Sequence, residues 1–349
     1  MNESDQSLDC RYRRIVRRRF GWLALLLGVV LTCLLTDLCV GPSGMQPGEV
    51  LAGIFNREAL PPAARIILWE IRLPYALMAI CVGLSLGLAG AQMQTVLDNP
   101  LASPYTLGLA SAATLGASLA IAFRFNPFGL PDAYVLPASA FVFAFACTWF
   151  VQWFGRRLGG GASPLILLGV AMLFLCNALI ALIQFTAEAN AVQEIVFWTM
   201  GSLARSDWSK VGCVALVFAL LFPLAMRRAW VFSLLKAGED QARAAGAPIE
   251  RLRITTLLAV SILAAVAVAF VGSVGFIGLV GPHIARLAFG EDHRFYLPGA
   301  ALAGALILSL ASIASKTLVP GVILPIGIVT ALVGIPLFVA LVFTQRRFL

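Results

Sequence analysis

Residues 90–104 read GAQMQTVLDNPLASP, and residues 272–286 read GSVGFIGLVGPHIAR. Each stretch interrupts a long apolar run with glycine and proline at matched spacing, Gly90 leading to Pro100 and Gly272 to Pro282. Each run is also headed by Arg-Leu, at Arg72-Leu73 and at Arg251-Leu252. Gly- and Pro-interrupted hydrophobic segments in corresponding positions of two halves point to a transporter and to where its path runs. The four residues therefore read as helix breaks that let the flanking helices tilt.

The surrounding chain is apolar throughout. Its 349 residues are 60% hydrophobic and 12% charged, with mean hydropathy +0.92. A soluble domain has about 45–50% apolar and about 25% charged residues, so the chain is polytopic in a membrane. About 20 apolar residues carry a helix across the hydrocarbon core. Ten such segments are present, near 20–40, 72–94, 104–123, 134–154, 163–185, 207–226, 254–273, 275–289, 297–318 and 325–344. No alternating barrel-type period appears, and the fold class is all-α. The span that begins at Arg72 is second and the one that begins near Arg253 is seventh. An odd offset makes the two halves run in opposite directions, an inverted repeat of spans 2–5 against 7–10 with spans 1 and 6 outside it. The first segment follows a basic run as a signal peptide would. Its apolar core is too long, and no A-x-A-like site precedes Gly41-Pro42, so it reads as a true span.

Charge sets the orientation. Ten spans put both termini on one side; with that side cytoplasmic, 18 of the 25 Lys and Arg residues fall on inner segments. Six lie between Arg11 and Arg19, two are Arg156 and Arg157, and six lie between spans six and seven; Arg286, Arg294, Arg346 and Arg347 complete the set. This is the positive-inside asymmetry, and headgroup contact accounts for the net charge of +8 without nucleic acid. Residues 1–19 form a basic cytoplasmic tail and residues 20–349 one transmembrane domain. None of the seven cysteines forms a C-x-x-C, and all but Cys10 lie in or beside spans, as small packing residues do.

Three polar stretches exceed a turn. The outer segment 41–71 holds a short amphipathic piece, MQPGEVLAGIF. The outer segment 186–206 and the two residues after it carry AVQEIVFWTMGSLARSDW (191–208), too short to span, which reads as a re-entrant or an interfacial helix with Trp198 and Trp208 expected at headgroup level. The inner loop 227–253 reads RRAWVFSLLKAGEDQARAAGAPIERLR. Lys236 through Ala245 favours a helix, Gly246 a stop and Pro248 a restart, which suits docking of a partner protein.

Several chemistries are missing. None of Lys210, Lys236 and Lys316 follows a glycine, so there is no P-loop for ATP. His283 and His293 share no H-E-x-x-H pattern, and no G-x-S-x-G occurs. The acidic residues sit in loops or at span ends, among them Asp37, Asp98, Asp132, Glu188, Glu194 and Asp207. Ion-coupled carriers place carboxylates at mid-depth, so a secondary carrier is disfavoured. A membrane-anchored redox subunit lacks its mid-span histidines for the same reason. Energy for transport would then arrive from a partner, through the 227–253 loop.

Five blocks carry a resemblance. RLPYALMAICVGLSLGLAGAQMQTVLDNPLASPYTLG (72–108), FWTMGSL (197–203), GEDQARAAG (238–246), GFIGLVGPHIARLAFGEDHRFYLPGAALAG (275–304) and LPIGIVTALVGIPLF (324–338) resemble the FecCD family of ATP-binding-cassette permease subunits. That resemblance implies an importer of an iron–siderophore chelate, haem or cobalamin in the bacterial inner membrane. It implies a second permease chain, a homodimer partner, two cytoplasmic ATPases that hold the ATP and Mg, and a periplasmic binding protein. No cofactor or metal belongs to this chain, and hydrolysis belongs to the ATPases. Contact with the ATPase would fall to Gly238, Glu239, Ala242, Arg243 and Gly246. Docking of the binding protein would fall to Arg72 and Lys316; Tyr75 stands where the family has a second basic residue, and Arg65 lies near enough to compensate. Gln92, Met93, Asn177 and Gln184 would line the path.

Overall fold

The run LPYALMAICVGLSLGLAGAQMQTV has no polar stripe, and a helix apolar on all sides belongs inside a bundle. In the computed structural model it forms α4 (Leu73–Val96), nearly all of it buried, with α1, α9, α12, α13 and α14 packed on it. The structure describes residues 3–41, 44–124, 126, 129, 131–158 and 162–345; Pro42, Arg346 and Arg347 lie outside the described residues.

The remaining helices are α1 (Glu3–Cys39), α2 (Pro47–Phe55), α3 (Pro62–Ile66), α5 (Leu109–Phe123), α6 (Asp132–Arg157), α7 (Ala162–Thr186) and α8 (Ala189–Thr199). They continue as α9 (Trp208–Arg227), α10 (Ala229–Ala237), α11 (Glu239–Ala244), α12 (Ile249–Val271), α13 (Ile277–Phe289), α14 (His293–Thr317) and α15 (Ile326–Gln345). Seven helices are long and apolar enough to cross a membrane, and α5, α13 and α15 supply three shorter apolar helices. All ten expected segments are therefore helical.

The core is α4 packed against α12, α13 and α14. Close approach comes from small residues. A Cβ on Gly83 or Gly87 of α4 would meet the backbone of α14 at Gly304 or Ala300, and Gly304 in turn faces Gly83. Backbones in contact are how membrane helices gain dispersion energy when lipid is as apolar as leucine. Around this seam pack Met78, Val82, Leu86, Ala264, Ala267 and Leu308 toward one end, and Leu88, Met93, Phe232, Phe295 and Tyr296 toward the other.

The break residues need correction. Gly90 does not interrupt α4; it is where α4 touches α13, with Gly278 O against the position of its missing Cβ. Pro282 lies inside α13. The interruptions fall just beyond, at 97–108, where Pro100 sits in the turns, and at 272–276, where Gly272 ends α12 at φ +79°. Thus Gly272 is a break, Pro100 belongs to one, and Gly90 and Pro282 mark packing.

The basic tail is also different from expectation, since it continues α1 without a stop. At 1.5 Å per residue α1 is about 55 Å long, well beyond a hydrocarbon core of about 30 Å. Its charged part is fixed to α14, through Arg19–Asp292 at 2.8 Å and Arg294 bonded to the Tyr12 hydroxyl. Trp198 is buried in the core rather than at a headgroup position, whereas Trp208 is exposed and donates Nε1–H to Trp69 O at 2.9 Å. Helix α2 starts at Pro47 behind a Gln46/Glu49 capping box, so its amphipathic sequence folds as read. The six described cysteines are free thiols.

Candidate functional site

At the end of the bundle that carries the basic residues, the loop between α9 and α12 folds into two short helices, not one. Gly238, at φ +141°, separates α10 from α11, so Lys236 closes the first helix and Glu239 opens the second. Gly246 (φ +81°) ends α11 as expected: its N–H bonds Arg243 O at 2.9 Å and the Ala247 N–H bonds Ala242 O at 3.0 Å, a Schellman closure. Pro248 then caps α12. No atom lies within 4 Å of a Cβ placed on Gly246, so Gly246→Ala should meet only the backbone cost of the left-handed region, about 1 kcal/mol. Hydrogen exchange at the Ala247 amide is the measurement, with protection falling about fivefold.

Glu239 pairs with Arg243 at 2.8 Å, one turn on, and with Arg253 of α12 at 3.3 Å. The Arg243 guanidinium, then Arg253, hold its carboxyl below the usual range against partial burial. A depressed acid contributes above its unfolded pKa and is lost as pH falls through the folded value, so the tie is intact at neutral pH. Ala242 is buried, Gly238 and Glu239 are half-buried, and Arg243 and Gly246 are exposed. The five residues thus sit together on one rigid knob.

Arg72 and Lys316 come together at the opposite end, but turned inward. Lys316 Nζ meets Asp37 Oδ1 at 2.9 Å, and the two side chains are 5% and 2% exposed. Arg72, also buried, donates to Leu38 O at 2.6 Å and Cys39 O at 3.3 Å. Ser312 donates to Asp37 Oδ2 at 2.8 Å, and Lys316 lies 4.2 Å over the Tyr75 ring. Both cations are used in closing the C-terminal end of α1 on α4 and α14, where exposed carbonyls and the helix dipole favour positive charge. Neither side chain is available as a docking surface. Tyr75, at the family's basic position, fits this closed arrangement because it stacks on the lysine. Arg65 is half-buried on α3.

The path candidates divide. Gln92 and Met93 are buried inside the protomer, Gln92 bonding back to Leu88 O at 3.5 Å and Met93 packing in the core, so neither faces a path. Asn177 is exposed on α7 beside Phe174, Leu175 and Leu182, and Gln184 is half-buried. Near α8, two of the quoted blocks (197–203 and 324–338) meet the end of α12. Ser202 N–H bonds Val271 O at 2.7 Å, Ile326 N–H bonds Gly201 O at 3.2 Å, and Gly327 N–H bonds Met200 O at 3.0 Å. Gly201, Gly272 and Gly327 allow that approach, since a Cβ on any of them would strike backbone. An outer cavity of about 620 Å³ behind α8 is lined by Arg124, Glu194, Arg205 and Lys210. Among the described residues, no group of His, Cys, Asp and Glu side chains could hold a metal ion.

Reading the sequence alone misses the contacts that tie the α10–α11 knob to α4: Lys236–Asp98 at 2.5 Å, Arg253 Nε to Val96 O at 3.4 Å, and His293 between Ser233 and Thr95. The available signal is that Asp98 and His293 sit within the quoted blocks.

A profile of the FecCD transport family matches residues 27–344. The hemin transport system permease protein of Yersinia pestis is 34% identical over 326 residues, 93% of this chain and 96% of that protein. The vitamin B12 import system permease protein of Escherichia coli O9:H4 (strain HS) is 35% identical over 336 residues, 96% and 98% of the two chains. A solved structure assigned as a metal-chelate type ABC transporter, in an inward-facing conformation, superposes with TM-score 0.82 at 31% identity, covering 93% of this chain and 99% of that one.

Proposed function

The chain belongs to the FecCD transport family and is an ABC importer permease of that type; on that premise we propose that it conducts an iron–siderophore chelate across a bacterial inner membrane, both termini cytoplasmic. The observation that supports the partner-driven part of this reading is the α10–α11 knob, a charged element tied into the bundle by ion pairs and a buried histidine. Such an element receives force from a partner. Among the described residues Asp37 is the one buried carboxylate, and Lys316 neutralises it, which leaves no acid for ion coupling.

Two cytoplasmic ATPases, holding the ATP and Mg, would dock on Gly238–Gly246. A second copy of the permease would complete the path, with Asn177 of α7 facing it. A periplasmic binding protein would meet Arg65 and the Arg124–Arg205–Lys210 cavity mouth rather than Arg72 and Lys316. A haem or cobalamin cargo is the second reading, favoured by the names of the two curated relatives.

The test is uptake into vesicles that hold the permease with its ATPase and binding protein. A ferric siderophore should accumulate only when ATP is supplied. Accumulation of haem or cobalamin in its place would change the cargo, and uptake driven by a sodium or proton gradient without ATP would overturn the importer mechanism.

A further inference from the structure

Three ties between the coupling knob and the bundle end on Thr95–Asp98, the last residues of α4 and those just past it, beside a bond from Arg228, which precedes α10, to Thr255 of α12 at 2.9 Å. Lys236 of α10 pairs with Asp98 at 2.5 Å. Arg253 receives Glu239 of α11 at 3.3 Å and donates Nε–H to Val96 O at 3.4 Å. The third tie runs through His293, which is 0% exposed. Its Nε2 lies 2.7 Å from Thr95 Oγ1 of α4, and its Nδ1 lies 3.2 Å from Ser233 Oγ of α10 and 3.0 Å from Glu291 O. The His293 backbone N–H also donates to Ser233 Oγ at 3.0 Å. Phe232 and Tyr296 pack against the ring, with centroids at 5.8 and 5.1 Å.

The ties differ in strength. Asp98 is 82% exposed, and an exposed ion pair contributes at most about 1 kcal/mol and yields to salt. The Thr95–His293 bond is sealed from water and the Ser233–His293 bond is part-buried, and a buried group left without its partner costs about 1–3 kcal/mol. Force from α10 therefore reaches α4 chiefly through the imidazole. α4 is also the one element that packs on α12, α13 and α14 together, and Gln94, next to Thr95, donates to Leu279 O of α13 at 3.4 Å.

Resting on the importer reading above, we propose that His293 is a positioning residue, the buried pin through which movement of α10–α11 is delivered to the cytoplasmic end of α4.

The test uses the full assembly of permease, ATPase and binding protein in vesicles. Thr95→Val and Ser233→Ala each remove one hydroxyl and leave the ring in place; His293→Gln removes the ring. A spin label on exposed Leu101, through Leu101→Cys in a background with the native cysteines replaced, reports the distance between the two copies with and without ATP. We expect ATP hydrolysis near the parent level, cargo moved per ATP down about tenfold, and a nucleotide-dependent distance change that is lost. If hydrolysis and transport fall in proportion while the label still responds to ATP, His293 is only structural and the inference is overturned. Unchanged transport in all three variants overturns it as well, with the importer reading intact. Failure of any ATPase to assemble with the chain would overturn both.

Discussion

Asp37→Ala is expected to destabilise the protein more than any other single charge change, by about 3–5 kcal/mol, the cost of leaving a buried partner uncompensated. The lost carboxylate accepts from Lys316 at 2.9 Å and from Ser312 at 2.8 Å, in a site where the lysine side chain is 5% exposed. With Asp37 gone, Lys316 and Arg72 remain as two cations on the closed end of α1. Asp37→Leu combined with Lys316→Met removes both charges while keeping similar volume. Replacing a buried pair by apolar residues is often near neutral, so the double variant should recover most of the loss. Thermal unfolding in detergent, followed by loss of the monodisperse peak on size exclusion, gives the comparison. Equal midpoints for the parent protein and Asp37→Ala would mean that the pair is not buried in solution, and Lys316 would return as a docking residue.

The same geometry alters how binding-protein docking should be probed. Lys316→Glu would set two carboxylates together in the closed site, so the protein should fail before its partner can be tested. Arg65→Glu and Arg124→Glu lie outside this cluster and interrogate docking without removing a structural contact of α1.

What sequence reading recovered and what it missed have a common physical basis. Composition, span length and stop residues are local, and they placed all ten apolar segments, the short amphipathic piece that forms α2 and the closure of α11 at Gly246. The neighbour across the bundle is not local. A lysine at a span end can snorkel, dock a partner or neutralise an acid; Lys316 does the last, with an acid 279 positions away. Gln92 and Met93 sit on a helix with no polar face, so periodicity gave no direction for either. Trp198 looked like an interfacial aromatic because α8 is short, yet α8 packs against α5 with this ring in the core. His293 lay inside a quoted block, but its importance depends on Thr95 and Ser233, which come from two other helices.

Gly90→Ala separates the two meanings a glycine can have in a membrane helix. If Gly90 is a hinge, alanine stiffens α4, which keeps its fold and gains up to about 1 kcal/mol in helix propensity, while transport slows. If Gly90 is a contact, the new methyl group meets Gly278 O far inside 3.0 Å, and that atom belongs to backbone that no rotamer change can move aside. Overpacking of this kind costs about 1–3 kcal/mol and at times more, and the propensity gain cannot offset it. We therefore expect a lowered unfolding midpoint and lost transport together. Gly212→Ala, where nothing lies within 4 Å of the added Cβ, should leave both at the parent level. Gly278→Ala should be milder, since its nearest neighbour, Leu86 O, stands at 3.1 Å and need give by only a few tenths of an ångström. A Gly90→Ala protein with an unchanged midpoint and slowed transport would restore the hinge, and with it the idea that α4 bends where its sequence first suggested a break.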